Sequence, residues 1–193
     1  YKRQHFIYIT HTGMFINNSL ANISIESGIH NDGFFQGCLG TACTYNFNNN
    51  SILIEGNATI FLSRVIGNKI RNNGIIHIEK ELNIDTLFNT KNATLLLASD
   101  TQNIKGFIDL SAENNTIIFN KTGTQNIPQS IFKAYNIGFM NSGNKVLSEN
   151  LEIENNFFIS NCSNLKCDSF QITGNKTGYI QIDSLSELTL GHN

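Results

Sequence analysis

Short apolar segments alternate with short polar segments along almost the whole chain. The apolar segments are rich in Ile, Leu and Phe, and each is bounded by Asn, Gly, Ser, Asp or Thr. Segments of this length that lack helical i, i+3, i+4, i+7 spacing predict β-strands. Two stretches, 80–88 and 130–135, also fit a helical turn. We predict strands at residues 6–9, 22–25, 52–54, 59–62, 74–78, 94–97, 107–110, 116–119, 136–140, 151–153, 157–159, 170–173, 179–182 and 185–190.

A local phrase returns three times, which indicates a repeat. Residues 57–62 are Asn-Ala-Thr-Ile-Phe-Leu, and similar phrases occupy 92–97 and 114–119. Strand centres recur at intervals of roughly 15 to 24 residues, clustered around 20, the pattern expected of a solenoid. Because one coil of this size cannot bury its own apolar side chains, successive coils must stack. The sequence therefore predicts an all-β fold, a parallel β-helix (β-solenoid). The alternative is an antiparallel β-sandwich, in which short strands follow one another more closely along the chain.

Asparagine fits the corners of such coils. The chain contains 30 Asn and only one Pro. Asn tolerates left-handed backbone geometry, and its amide can form a ladder with an Asn one coil away. An AT-rich genome is a rival explanation for the same bias.

Composition and charge exclude several partners. Charged residues make up 15% of the chain, the net charge is -2 and the pI is near 6.2. Lys and Arg are scattered singly, so we expect no binding to nucleic acid. The longest apolar runs fall far short of the ~18 residues that a membrane-spanning helix needs.

The first residue is Tyr1 rather than Met, and we expect the chain to be a fragment of a longer protein. We predict one β-solenoid over residues 1–193, less regular over 1–45 and built of stacked coils over 46–193.

The four cysteines form two pairs of equal spacing, Cys38 with Cys43 and Cys162 with Cys167. We predict a small disulfide within each pair, closed by a turn and formed in an oxidising compartment. One alternative is a four-thiolate zinc site that would need both pairs to converge. The other is free thiols.

The usual catalytic signatures are absent, and we predict no catalytic residue, no metal site and no cofactor. His77 lies in an alternating segment and is expected to point outward. A polysaccharide-active β-helix would need clustered carboxylates on one face. Two such sets are conceivable, Asp100, Asp109 and Glu113, and Glu79, Glu81 and Asp85, but scattered solvated charges are the simpler interpretation. We therefore expect a protein that is not an enzyme.

Two further features bear on binding. Within a strand, Phe34-Phe35 and Phe157-Phe158 would each turn one ring outward, where an exposed ring favours ligand binding. Several of the Asn-x-Ser/Thr triplets begin at strand starts, so we interpret the triplets as turn chemistry rather than glycan sites.

The Asn-rich short strands, the Asn-Ala-Thr-Ile and Asn-Asn-Thr-Ile phrases and the close Cys pairs resemble passengers of bacterial autotransporters. The chain looks most similar to the vacuolating-cytotoxin-like and toxin-like outer-membrane proteins of Helicobacter-type bacteria. This resemblance implies a right-handed parallel β-helix that is exported through a C-terminal barrel lying outside these residues.

The resemblance implies a location outside the cell or on the bacterial surface, at the outer membrane. The expected function is an adhesin or host-interaction scaffold whose partner is a host-cell surface or matrix component. The alternatives are a toxin segment and a polysaccharide-active enzyme. Because the terminal strands of a solenoid are unpaired edges, we also expect end-to-end self-association.

Overall fold

The computed structural model describes residues 2–10, 12–16, 23–36, 44–47, 52–99, 104–131, 133–174 and 178–191. All regular structure in these ranges is β-strand. None of it contains a helix long and apolar enough to cross a membrane. The strands are β1 (Lys2–Ile9), β2 (Met14–Ile16), β3 (Ile23–Asn31), β4 (Phe34–Gln36), β5 (Thr44–Phe47), β6 (Ile52–Glu55), β7 (Thr59–Asn72), β8 (Ile75–Asn89), β9 (Thr94–Leu97), β10 (Ile104–Asp109), β11 (Thr116–Phe119), β12 (Gln125–Asn126), β13 (Lys133–Ala134), β14 (Asn136–Phe139), β15 (Gly143–Val146), β16 (Leu151–Ile153), β17 (Phe157–Ile159), β18 (Ser163–Lys166), β19 (Ile172–Gly174), β20 (Ile180–Ile182) and β21 (Glu187–Thr189).

Every pairing between these strands is parallel, as a stack of coils requires. One sheet contains 14 strands, a second runs β12-β15-β18-β21 and a third runs β13-β16-β19. The fold is therefore a β-solenoid, consistent with the right-handed parallel β-helix that was predicted. The antiparallel sandwich is excluded. The first four strands, within residues 1–45, belong to the same stack.

The number of residues in one coil follows from the spacing of a single column of inward-facing side chains. Its members recur at intervals of roughly 16 to 25 residues, which agrees with the repeat predicted for a solenoid. We call it the core column; it consists of Phe15, Phe35, Ile60, Ile76, Leu95, Ile117, Ile137, Phe157 and Ile180. Each fully buried side chain of this kind contributes roughly 1.5–3 kcal/mol of transfer free energy.

The large sheet has two arms that meet at a corner. The first arm carries the core column. The second arm contains β1, β3, β5, β6 and β10, and the long strands β7 and β8 run through both arms. The register between β7 and β8 shifts between Leu62 and Arg64, where the strands turn the corner. The predicted helical turn at 80–88 is wrong, because these residues lie inside β8, with Leu82 and Leu87 buried in the core.

The second stretch with a helical pattern, 130–135, is also not helical in its described residues. Ile131 donates one turn bond to the carbonyl of Pro128, and β13 follows at Lys133. The stacked neighbour β16 pairs with β13 and keeps this segment extended.

Asparagines occupy the corners, as the sequence indicates. Asn31, Asn72, Asn89 and Asn115 are fully buried, although amides are usually exposed. The amide of Asn72 donates to Asn89 Oδ1 at 2.7 Å, so neighbouring coils share a side-chain ladder. Left-handed φ angles of 57° to 65° occur at Asn92, Asn114, Asn141 and Asn161.

Candidate functional site

A groove crosses the outer face of the second arm. Its centre is a register column in which Phe88 of β8 lies between Arg71 of β7 and Asp109 of β10. Adjacent strands lie about 4.8 Å apart, so the guanidinium and carboxylate residues are about 10 Å apart at their Cα atoms. The groove has a volume of about 550 Å³. The groove is lined by the aromatic ring of Phe88, by Ala112 and by polar or charged residues. The lining residues are Arg71, Asn73, Phe88, Asn89, Thr90, Lys91, Asp109, Ser111 and Ala112.

Contacts within the stack fix the polar groups of this groove. Asp109 Oδ1 accepts hydrogen bonds from the Ser111 backbone N–H at 3.0 Å and from the Ser111 hydroxyl at 2.7 Å. Arg71 Nε donates to Asn73 Oδ1 at 3.4 Å. Lys69 Nζ lies 4.8 Å from the centroid of the Phe88 ring, a cation–π distance. The β-ladders therefore fix the backbone positions of Arg71, Phe88 and Asp109, and these contacts engage their side chains.

An aromatic ring flanked by a cation, an anion and amide or hydroxyl groups is suited to binding. The ring supplies apolar contact area, and the polar groups fix the orientation of a ligand. Its volume falls within the ~300–1,000 Å³ range of ligand sites. Glycoside hydrolysis needs two carboxyl groups flanking the scissile bond. Asp109 is the one carboxylate among the described residues that line the groove.

The first set of carboxylates predicted to converge is split. Asp109 lies in the groove, whereas Glu113 lies on the next turn and pairs with Lys91 at 2.6 Å. Asp100 lies outside the described residues. Both partners of the Lys91–Glu113 pair are more than half exposed, so it contributes little to stability. Lys91 lines the groove, and Glu113 is not among the lining residues.

The second set of carboxylates lies among basic residues. Glu79 and Glu81 line a separate pocket of about 260 Å³, together with Arg64, Lys80 and Lys121. The Arg64 guanidinium lies 3.7 Å from Glu81. Asp85, the third member, does not line this pocket. The mixture of charges of both signs matches the interpretation of scattered solvated charges.

Sequence reasoning missed a histidine cluster further along the same outer face. His30 Nε2 lies 2.7 Å from Asp32 Oδ2, and His30 Nδ1 lies 3.1 Å from Glu55 Oε1. The ring of Tyr8 stacks on His30 at 4.5 Å. The hydrogen bonds to Asp32 and Glu55 raise the pKa of His30 above its ordinary value. The His-x-Asp spacing was visible in the sequence, but Glu55 is brought to it only by the stacking of β6 on β3.

This cluster continues the polar face towards the groove. Tyr8, His30 and Glu55 are register partners on β1, β3 and β6. Ile54 pairs with Asn72 on β7, which places Glu55 one coil from Asn73 of the groove. The second arm therefore presents a continuous outer strip of aromatic, charged and amide side chains.

His77 points outward, as predicted, but on the first arm. Its neighbours Ile76 and Ile78 are buried, and the imidazole packs edge-on against Phe61 at 5.2 Å. Asn120 Nδ2 lies 3.3 Å from His77 Nε2. Burial lowers the pKa of His77, so its surroundings favour a neutral, packed imidazole.

The chain matches no protein-family model, no curated protein and no solved structure. Among the residues that the structure describes, no group of three or more His, Cys, Asp or Glu side chains has the geometry of a metal site.

The structure corrects the prediction of a disulfide between Cys162 and Cys167. Cys38 and Cys43 lie outside the described residues. Cys162 and Cys167 are free thiols, the first exposed and the second buried. The residues between them form β18, and at about 3.3 Å per residue an extended strand separates their Cα atoms by about 16 Å. A disulfide requires less than about 7 Å.

The predicted Cys162–Cys167 disulfide is therefore wrong in this structure. The four-thiolate zinc site is wrong for the same reason, because two ligands of one ion cannot lie at opposite ends of an extended strand. Of the three alternatives, free thiols describe this pair. Burial raises the pKa of the Cys167 thiol, with the neighbouring Asp168 as a second cause.

Of the paired phenylalanines, Phe157 and Phe158 alternate as a strand requires, and the side chain of Phe34 lies outside the described part of the chain. Phe157 is buried, and Phe158 lies on the outside. The Phe158 ring covers Gly138 so closely that a Cβ there would meet it at 2.1 Å. Since that ring already packs on its own sheet, the groove around Phe88 is the better candidate site. Phe35 is buried.

Proposed function

We propose that this chain is a segment of a surface-exposed or secreted bacterial β-helix that binds a host-cell surface or matrix component through the groove. The observation that carries this proposal is the ordered triplet Arg71, Phe88 and Asp109 on a rigid parallel ladder. A stack of coils holds such a triplet without any rearrangement, which lowers the entropic cost of binding. The proposed location is the outer membrane or the extracellular space, as the autotransporter resemblance implies.

The groove supports binding better than catalysis. Its carboxylate, Asp109, is already engaged by both Ser111 donors, and the described lining offers no second carboxylate to act as an acid or a nucleophile. Aromatic and Arg side chains are the residue types that most often dominate binding energy at protein surfaces. We therefore propose an adhesin or interaction scaffold rather than an enzyme.

The test compares groove variants with matched variants on other faces. Purified chain is titrated onto cultured epithelial cells, immobilised matrix proteins and a glycan panel, with bound protein measured by fluorescence. Phe88→Ser and Arg71→Gln are expected to weaken binding at least about tenfold, as loss of a hot-spot side chain does. Leu96→Ser, on the outer side of β9, and Lys105→Gln, an exposed cation outside the groove, are expected to bind as the parent does.

Circular dichroism confirms that each variant retains its strands. Equal binding by the groove variants and their controls, or no binding to any surface, would refute the proposal. Release of reducing sugar from the panel would instead assign an enzymatic function to the groove.

A further inference from the structure

A second aromatic side chain lies on the outer face beside the groove. Phe107 of β10 is 50% exposed, and it faces outward with Asp109 because Ile108 between them is buried. It pairs with Thr86 of β8, which lies two residues before Phe88. Diagonal neighbours of this kind on adjacent strands are roughly 8 Å apart at their Cα atoms. Phe88 and Phe107 therefore form a platform of two rings on one face of the sheet.

A glycine bulge sets the direction of Phe107. The register between β10 and β8 shifts between Lys105 and Phe107, and Gly106 has a φ of 101°. A Cβ at Gly106 would overlap the carbonyl oxygen of Ile84, so this backbone conformation requires glycine. Bulges of this kind redirect side chains and are frequent next to functional sites. The exposure of Phe107 is thus fixed by the strand pairing around it.

The charges on the two sides of Phe88 have opposite signs. Arg71 is exposed and its Nε donates to Asn73, and within the described part of the chain no carboxylate forms an ion pair with it. Its Nη groups can therefore bind an anion in the bidentate manner. On the other side, Asp109 Oδ1 accepts from both Ser111 donors, which leaves Oδ2 to accept hydroxyl groups. The column thus attracts an anionic group at β7 and hydroxyl donors at β10.

The floor of the groove suits a sugar better than a peptide. An extended peptide binds a sheet along an unpaired strand edge, whereas the groove crosses the face of β8, which pairs with β7 on one side and β10 on the other. A sugar ring needs an apolar surface for its C–H face and polar groups around its rim. Phe88 supplies the apolar surface, and Asn73 and Thr90 add amide and hydroxyl groups to the charges of the column.

We propose that the groove binds a saccharide whose terminal sugar carries a single carboxylate. The carboxylate binds Arg71, the C–H face of this sugar packs on Phe88, and hydroxyl groups on its far side donate to Asp109. The next sugar of the saccharide packs on Phe107. A second anionic group would be repelled by Asp109, so a densely sulfated chain is a poor ligand. This inference rests on the proposed function, because it names the ligand class of the same groove.

Titration of the chain with matched sugars, followed by NMR spectroscopy, tests the ligand class. The probes are methyl glucuronide, methyl sialoside, neutral methyl glucoside and a densely sulfated heparin oligosaccharide, and the resonances of Arg71 and Phe88 report binding in the groove. At least one of the two carboxylated sugars is expected to bind at least about tenfold more tightly than methyl glucoside, because it adds a charge-assisted bond. The heparin oligosaccharide is expected to bind in the groove more weakly than that carboxylated sugar.

Single substitutions separate the parts of the site. Arg71→Gln is expected to bind carboxylated and neutral sugars equally, and Phe88→Ser to lose binding of both. Phe107→Ser is expected to bind single sugars as the parent does, but to bind a disaccharide with the same carboxylated terminal sugar about fivefold more weakly. Lys105→Gln, which removes an outward-facing cation of β10 outside the groove, is the matched control and is expected to retain the preference. Circular dichroism establishes that each variant is folded.

Two results would overturn the inference: carboxylated sugars that bind no more tightly than methyl glucoside, or a preference for them that persists in Arg71→Gln. Tighter binding of the heparin oligosaccharide in the groove than of both carboxylated sugars would overturn it as well. Cell binding that is lost in Phe88→Ser but unaffected by excess carboxylated sugar would refute this inference and leave the proposed function standing. Sugar binding in the groove without any binding to cells or matrix would refute the proposed function alone.

Discussion

Buried polar side chains in this molecule are held by backbone groups at the breaks between strands. Gln125 is fully buried, and its Nε2 donates to the carbonyls of Leu97 and Ser99, both at 2.8 Å. Lys145 is also fully buried; its Nζ donates to the carbonyl of Lys121 at 2.7 Å. These bonds give each buried side-chain donor a backbone carbonyl as its partner, and a buried donor without a partner would be costly.

The charge of Lys145 makes stability depend on pH. Burial, followed by repulsion from Lys121, lowers the pKa of Lys145 to about 8 in the folded chain. The unfolded value is near 10.4, so between these two pH values the unfolded state binds more protons and stability rises with pH. We expect the parent chain to gain at most about 3 kcal/mol from pH 7.5 to 10.5, relative to Lys145→Met.

Urea unfolding at constant ionic strength measures this difference. Other titrating groups are common to both proteins and cancel in the comparison. Lys91→Met, which removes an exposed lysine and keeps Lys145, is the control; the stability difference between the parent chain and Lys91→Met is expected to show no such rise with pH. Parallel stability profiles for the parent chain and Lys145→Met would contradict the buried, low-pKa lysine.

At the scale of the element, corners and strands form one unit. The amide of Asn89, at the end of β8, donates to the carbonyls of Ala93 at 3.3 Å and Thr116 at 3.2 Å. Its Oδ1 accepts from Asn72 on the preceding coil. One side chain therefore links β7, the residue that precedes β9, and the first residue of β11.

Removal of this amide is expected to destabilise the fold. Asn89→Ala leaves a buried donor on Asn72 and a buried carbonyl on Thr116 with fewer partners, at a cost on the order of 2–3 kcal/mol. Chemical denaturation measures the change. Asn144→Ala, at an outward position of β15, is the matched control and is expected to change stability by less than about 0.5 kcal/mol. Equal losses of stability in Asn89→Ala and Asn144→Ala would show that the side-chain ladder makes no specific contribution to stability.

At the scale of the whole molecule, the stack is nearly one-dimensional. Each coil contacts the coils directly above and below it, so stability is approximately a sum of coil and neighbour contributions. Coils in the middle have two neighbours, whereas the coil containing β20 has one described neighbour. Local opening free energies should therefore fall towards the C-terminal end.

Hydrogen exchange measured by mass spectrometry tests this gradient. At concentrations low enough to keep the chain monomeric, peptides covering 178–191 are expected to exchange at least about tenfold faster than peptides covering 94–97 and 116–119, because their strands are paired on one side only. The slow peptides serve as the internal reference. Uniform exchange along the chain would show that the stack opens as a single cooperative unit.

The sequence by itself determined the strand content, the approximate length of the coil and the asparagine corners, because these depend on local alternation and on backbone preferences of single residues. The sequence did not determine the length of strand β8. Residues 80–88 fit a helical turn when they are considered alone, yet stacking between β7 and β10 keeps them extended within β8. Only the tertiary structure decided that Cys162 and Cys167 stand at opposite ends of a strand, since equal spacing cannot distinguish a turn from an extended segment. It also decided which residues form the candidate site. Arg71, Phe88 and Asp109 belong to three separate strands, and they meet because the irregular coils place them in one register column.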